Sequence, residues 1–407
     1  MRDTITDIVL VGGGLAAARA ATTLREEGYD GRLVLFAEEP HLPYERPPLS
    51  KDLLADPSGP EPVVQSADWY ADHQVDVHLD DPVTELDRAA GVVRTRGGTT
   101  APFHRLLLAT GSDARRLPLA GGDLDGVRYL RTLDDSRRLA DDLRRVAHVT
   151  VVGAGWIGCE VASAARSLGV GVTMVDPVAA PLERVLGTTV GTVFADLHGS
   201  NGVDLRLGRG VAALEGGDHV RTVALDDGVE IRTELVVVGI GAVPRVELAE
   251  KAGLAVANGV VVDATLQTDD ERIFAAGDVA SAWHPVLGQH LQVEHWANAL
   301  NQGNTAGRNM LGDAEVHDRV PYFFSDQYDV GLEYSGHAHP DDDVVIRGSL
   351  EDRTFIAFWL RDERVTAGMN VNVWDVTDDI QALVRSAVRV DRRSLADPGV
   401  SLGDVAG

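Results

Sequence analysis

The apolar run Ile8–Val11 ends in GGGLAAARAATTL, where glycines open a segment with alanine and leucine at helical spacing. A second apolar run, Leu33 to Phe36, follows. This order of strand, glycine turn, helix and strand predicts a βαβ unit. The pattern returns from Val149, where VTVVGAGWIGCEVASAARSLGVGVTMVD repeats strand, glycine turn, small-residue helix, strand and acid. Two nucleotide-binding units are therefore expected. Between them, alternation over Val75 to Leu79 and Gly91 to Thr95 predicts β structure, closed by the buried-strand run RLLLATG from Arg105. Further strands are expected in LVVVGIGAVP and IFAAGDVA. From about Tyr322 the chain changes to short alternating strands with aromatics, VVIRGSL and TFIAFWL, and a helix over Asp378 to Val388, which reads as a third, α+β domain. The polar segment Arg392 to Gly407 is expected to be a loosely packed tail.

The fold class that follows is α/β: two Rossmann-like dinucleotide-binding domains plus a C-terminal α+β domain. In the first glycine turn, Gly12-Gly13-Gly14-Leu15-Ala16-Ala17 fits G-x-G-x-x-[GA]. There the glycines allow a tight turn and close backbone approach, so that a pyrophosphate can sit on the helix N-terminus. Glu38, at the end of the next strand, is placed to accept from a ribose diol, with Glu39 as the neighbouring candidate. The second turn, Gly153-Ala154-Gly155-Trp156-Ile157-Gly158, is a full G-x-G-x-x-G, and Asp176 follows it in the ribose position. An acid there suits a free 2′-hydroxyl and repels a 2′-phosphate, and Pro177 to Pro181 holds no arginine, so NADH is expected over NADPH. Two such sites in one chain imply a bound flavin meeting a transient nicotinamide, and hence hydride transfer. Asp278 in AAGDVA, read as lying after a strand and before a helix, is expected either to orient a ribityl phosphate or to cap that helix.

Composition narrows this picture. The chain has 407 residues, enough for two or three domains, and no stretch near the roughly 20 apolar residues of a membrane span. The first residues lack a signal-peptide pattern, so a cytoplasmic location is expected. The net charge of −26 disfavours nucleic acid and anionic membranes as partners, and the arginine pairs are isolated among acids. The single cysteine, Cys159, excludes an intrachain disulfide and with it a dithiol relay, and is read as a small buried residue. His337 and His339 are read as surface residues, and no metal site is expected. Only two lysines occur, Lys51 and Lys251. Lys51 in PYERPPLSKDLL is either a solvated loop cation or a residue whose compact point charge matters.

The motifs VGGGLAAARAA, PYERPPLSK, LLLATGS, YLRTLDD, VVGAGWIGCEVA, AAGDVA and YFFSDQYD, taken in this order, resemble those of the flavoprotein ferredoxin reductases. That family includes the putidaredoxin reductase type and the reductase components of aromatic-ring dioxygenases, and is related to rubredoxin reductase and apoptosis-inducing factor. The resemblance spans nearly the whole chain. It implies a discontinuous FAD domain, 1–113 and 241–320, an NAD domain, 114–240, and a C-terminal domain, 321–407. It implies that Lys51 lies beside the flavin and pairs with Glu160. It further implies FAD contacts from Gly12, Gly14, Leu15, Ala16, Glu38, Arg46, Pro48, Val83, Ala109, Arg131, Asp278 and Trp296. The implied NAD contacts are Gly153, Gly155, Trp156, Ile157, Gly158, Glu160, Asp176, Arg184, Gly241 and Glu294. For Trp296, core packing is an equal reading. At Phe324 the family usually carries tryptophan, whose ring stacks on nicotinamide or flavin; phenylalanine is a smaller lid. The implied activity is NADH:ferredoxin reduction through FAD, feeding a cytochrome P450 or ring-hydroxylating oxygenase through an iron-sulfur ferredoxin. Rubredoxin, a quinone, monodehydroascorbate or oxygen are alternative acceptors, and a redox-gated binding protein is an alternative class. Arg308, Arg347, Arg353, Arg361 and Arg364 are candidates for a ferredoxin-docking patch.

Overall fold

The computed structural model describes residues 5 to 405. The chain divides into two compact units. One comprises the residues up to Glu45, Pro60–Asp113 and Val243–Pro321; the other comprises Arg46–Gly59, Ala114–Ala242 and the residues from Tyr322 onward.

The first unit is built on a five-stranded parallel sheet in the order Ile273–Ala275, Arg105–Leu108, Asp7–Val11, Arg32–Phe36, Val75–His78. Apart from the alternating edge strand Val75–His78, its strands are near-continuous apolar runs, and Ile8, Leu10, Leu33, Leu35, Leu106 and Leu107 are fully buried. The helices Leu15–Glu26 and Trp296–Met310 pack against each other at small residues. A Cβ on Gly303 would come within 2.5 Å of the Ala16 carbonyl oxygen, which explains the glycine. Two further sheets complete the unit, an antiparallel one over residues 83–102 and a mixed one over 256–292, in which Gly259–Val262 and Ala280–His284 run parallel.

The second unit repeats the parallel design with the strand order Val203–Leu207, Gly171–Asp176, His148–Val152, Leu235–Val238, Val127–Tyr129. It also holds a five-stranded antiparallel sheet with the Tyr322–Gln327 strand at one edge and Asp343–Ser349 at the other. The helix Thr377–Ser386 packs on this sheet through Ile380, and a Cβ on Gly368 would meet the Ile380 side chain at 2.6 Å.

The segment Arg46–Gly59 groups with the second unit rather than with the residues on either side of it in the chain. Its contacts explain why. Ser136 Oγ donates to the Leu49 carbonyl at 2.7 Å, Arg144 donates to the Ala55 carbonyl at 2.6 Å, and Arg46 donates to the Arg131 carbonyl.

Two local expectations are corrected. The strand ending at Ala275 and the turn at Gly277 (φ +79°) lead not into a helix but into the strand Ala280–His284, so Asp278 caps no helix. The segment from Arg392 is not loose: it forms a helix at Arg392–Ala396 and a 3-10 turn at Leu402–Asp404, and it buries Leu395, Leu402 and Val405. Arg347 holds it by donating to the carbonyls of Asp397 and Val400 at 2.7 and 2.6 Å. Gly407 lies outside the described residues.

Candidate active site

Each parallel sheet carries a glycine turn after its central strand, and the two turns are built alike. Gly12 has φ +131°, and a Cβ there would lie 2.0 Å from the Ala109 carbonyl oxygen. Gly153 has φ +107°, and a Cβ there would lie 2.2 Å from the Gly239 carbonyl oxygen. Only glycine fits at either position. Gly14 and Gly155 occupy the N-caps of the 12-residue helices that follow. Neither cap receives a side-chain hydrogen bond, and a Cβ on either glycine would meet nothing within 4 Å. The first-turn N–H groups of each helix thus have no capping side chain, and there is room beside each cap glycine, the arrangement a pyrophosphate suits.

In the first unit, Leu15, Ala16 and Ala109 are buried around this turn and Val83 is half-buried. Glu38 stands at the end of its strand, 46% exposed at its side chain, where Arg245 reaches it at 2.5 Å; Arg245 also approaches Asp113 at 3.4 Å. Glu39 instead accepts from the Tyr44 hydroxyl at 2.5 Å. Asp278 accepts from Ser112 Oγ at 2.9 Å, and its carbonyl accepts from Gln292. Gln292 also donates to Glu294 at 3.1 Å. Trp296 Nε1 is buried and makes no hydrogen bond within the protein, so a donor remains for a bound group. Residues of this unit therefore fit a dinucleotide such as FAD.

In the second unit Asp176 is 3% exposed at its side chain. It accepts from the Ala154 and Val178 backbone N–H groups at 2.8 and 3.1 Å, which ties the glycine turn to the end of the next strand. No arginine occurs between Pro177 and Pro181, yet Arg184, the second residue of the following helix, comes back to Asp176 at 3.3 Å. A cation therefore stands at this position after all. Trp156 packs edge-on against Phe323 with ring centroids 4.6 Å apart, while Ile157 is 40% exposed. Gly158 lets its helix approach the Gly153 carbonyl, and Gly241 (φ +107°) accepts from the Arg115 N–H at 2.9 Å. Cys159 is fully buried, and burial pushes its thiol pKa well up, so it is no nucleophile.

The same unit holds a compact charged cluster. Pro47 and Pro48 start the 3-10 turn Pro47–Ser50, which leaves Lys51 at the junction with the next helix. The Lys51 ammonium lies 2.9 Å from Asp326 Oδ2, 3.8 Å from Glu160 Oε1 and 4.5 Å from the centre of the Phe324 ring. Glu160 is 8% exposed and accepts from both Ser50 Oγ and Ser325 Oγ, the latter at 2.7 Å. Burial raises its carboxyl pKa, against the pull of Lys51 and of the two serine hydroxyls; the negative charge of Asp326 raises it further. The strand Tyr322–Gln327 serves both partners. Its exposed face carries Phe324 and Asp326 toward Lys51, and its buried face carries Ser325 toward Glu160, with Gln327 beside it donating to Ser325 Oγ.

Lys51, Glu160 and Phe324 are thus brought together, whereas the arginines offered for docking are engaged within their own units. Arg308 pairs with Glu27 and Glu315, Arg361 with Asp342, and Arg364 donates to a backbone carbonyl. Ser50, Ser325, Asp326 and Arg245 were not foreseen. Alternation along YFFSDQ carried a signal for two of them, since a strand must put Ser325 and Asp326 on opposite faces. Among the described residues no group of three or more His, Cys, Asp or Glu is arranged to hold a metal ion, and no helix is long and apolar enough to cross a membrane.

A parallel sheet with a glycine turn at its switch into a helix, present twice in one chain, defines a protein of the two-dinucleotide-fold class. The chain belongs to the pyridine nucleotide-disulphide oxidoreductase family, whose model matches residues 6–303, and residues 322–406 match the reductase C-terminal family. It is 40% identical over 402 residues to the anthranilate 1,2-dioxygenase system ferredoxin–NAD(+) reductase component of Burkholderia cepacia, covering 97% of this chain and 98% of that one. The crystal structure of the ferredoxin reductase for the CYP199A2 system from Rhodopseudomonas palustris superimposes with a TM-score of 0.94 at 34% identity, covering 98% and 100% of the two chains. That of the covalent putidaredoxin reductase–putidaredoxin complex gives 0.93 at 33% identity, covering 98% of each.

Proposed function

We propose that this chain is an FAD-dependent NADH:ferredoxin reductase, passing electrons to an iron-sulfur ferredoxin that serves a cytochrome P450 or a ring-hydroxylating oxygenase. The observation that carries this reading is the pair of matched glycine turns at Gly12 and Gly153, each followed by a helix whose N-cap is a glycine with room beside it. Full-length relatives with reductase names accord with it. Bound FAD supplies what no side chain can: acceptance of two electrons from a nicotinamide and their release one at a time.

The residues divide the remaining work. The first glycine turn holds a flavin pyrophosphate, with Glu38 and Asp278 as acceptors for ribose or ribityl hydroxyls and Trp296 as a donor. The second turn holds the transient nicotinamide dinucleotide, with Asp176 toward the adenosine ribose. Lys51 supplies a fixed positive charge in a largely dehydrated position, where an anion is stabilised far more than in water. Phe324 forms an apolar wall beside that charge. The single buried cysteine leaves no dithiol to relay electrons, so transfer to the acceptor is direct. NADH as electron donor accords with a cytoplasmic setting.

Anaerobic titration of the holoprotein with NADH and, separately, NADPH tests the reading. Rapid loss of flavin absorbance with NADH and little response to NADPH is expected. Failure to bleach with NADH, or slow conversion to a persistent long-wavelength absorbance, would move the assignment to a redox-gated binding protein.

A further inference from the structure

We infer that Asp326 is a positioning residue for Lys51, holding the ammonium off Glu160 and against the Phe324 ring. The inference rests on the reductase reading above for its consequence in turnover, and on geometry for everything else.

An ammonium has three donors on a flexible stem, so whichever acceptors surround it decide where it points. Among the described residues Lys51 Nζ hydrogen-bonds to Asp326, at 2.9 Å. Glu160 Oε1 lies 3.8 Å away, too far for a hydrogen bond, and its two oxygens already accept from Ser50 and Ser325. The buried partner is thus occupied by neutral hydroxyls, and the better exposed carboxylate, with 63% of its side chain accessible, holds the charge. An ordinary surface ion pair does little. Here the lysine side chain is only 16% exposed, so its tether fixes a charge that water does not screen fully. Phe324 and Asp326 stand two apart on one face of an edge strand, so ring and carboxylate bracket the ammonium from one rigid element. Without the carboxylate, the nearest remaining anion is Glu160, and the ammonium would turn to it and away from the ring.

The scarcity of lysine makes this directly measurable. With only Lys51 and Lys251 in the chain, protein labelled with nitrogen-15 at the lysine side chain gives two ammonium resonances, assigned by Lys251→Arg. The FAD-loaded parent, Asp326→Asn and Asp326→Glu are compared by this spectrum and by stopped-flow reduction with NADH. The expected result is a displaced Lys51 resonance in Asp326→Asn with Lys251 unmoved, and flavin reduction slower by on the order of tenfold. Asp326→Glu should recover both. An unmoved Lys51 resonance in Asp326→Asn overturns the positioning. A moved resonance with unchanged reduction overturns its part in turnover. If the parent itself is not reduced by NADH while the resonance moves and Asp326→Glu restores it, the positioning stands and the reductase reading fails.

Discussion

Ser325 Oγ donates to Glu160 Oε1 at 2.7 Å, joining an edge strand of the C-terminal sheet to the helix that follows the second glycine turn. This bond, with that of Ser50, keeps a carboxylate in a place where burial opposes its charge.

The Glu160 carboxyl therefore titrates above its ordinary value, and the sign of its effect on stability follows. A group whose pKa is raised by folding favours the folded state most below the unfolded pKa, and that contribution is lost as pH rises through the folded pKa. Ionising the buried Glu160 carboxyl is therefore a cost to the folded state. Glu160→Gln should raise Tm at pH 7, with the gain shrinking as pH falls into the ordinary carboxylate range. The same variant should slow reduction by NADH. Calorimetry across pH would refute the account if the variant melted lower than the parent at pH 7.

His198 is fully buried, with Nε2 at 3.1 Å from Gln327 Oε1 and Nδ1 at 3.2 Å from the Tyr328 hydroxyl. The carbonyl oxygen of Gln327 requires the proton on Nε2, so Nδ1 accepts from Tyr328 and the ring is neutral. Burial pushes its pKa down to about 4, against the opposing hydrogen bond of Gln327. Because the unfolded chain binds this proton near pH 6.5 and the folded chain does not, stability falls between about 6.5 and 4, by roughly 3 kcal/mol from this group. His317, likewise pushed down to about 4, adds a similar slope. Urea unfolding of the parent and His198→Gln at pH 7 and pH 5 should show the variant losing less on acidification. Equal losses would mean that His198 carries no such linkage.

Gly153 and Gly155 of the second turn should separate folding from binding. Gly153→Ala forces a Cβ to within 2.2 Å of a carbonyl at φ +107° and should destabilise the fold by about 2 kcal/mol or more. Gly155→Ala meets nothing within 4 Å, so Tm should move little while KM for NADH rises about tenfold or more. Similar melting losses in both would show that the space before Gly155 is not a ligand cradle.

Phe324 is 37% exposed beneath the Lys51 ammonium. Phe324→Trp offers a larger and more electron-rich face to that charge, worth about 1 kcal/mol. The expected outcome is unchanged folding and a stronger long-wavelength absorbance band after NADH addition. A band no stronger than the parent's would show that the ring does not govern it.

The two βαβ units were legible because their signals are local. An apolar strand, a glycine that must adopt positive φ and a small-residue helix are contiguous at both Gly12 and Gly153, so backbone sterics alone dictate the turn. The helix expected after Asp278 failed because Gly277 turns the chain into a strand that pairs with Gly259–Val262, a partner distant in sequence. The looseness expected from Arg392 onward failed for a similar reason: its few apolar residues find a core, and Arg347 gathers its carbonyls from 50 residues upstream.

The sequence by itself determined the strand and glycine-turn chemistry, the exclusion of a dithiol relay by a lone cysteine, and the scarcity of lysine that makes Lys51 stand out. Only the tertiary structure decided what faces that lysine. Ser50, Glu160 and Asp326 are far apart along the chain, and neither periodicity nor spacing encodes a 2.9 Å contact between residues 275 positions apart. Such a contact arises when the Arg46–Gly59 segment leaves its sequence neighbours and packs with the second unit, a choice made by burial and hydrogen bonding summed over many distant groups.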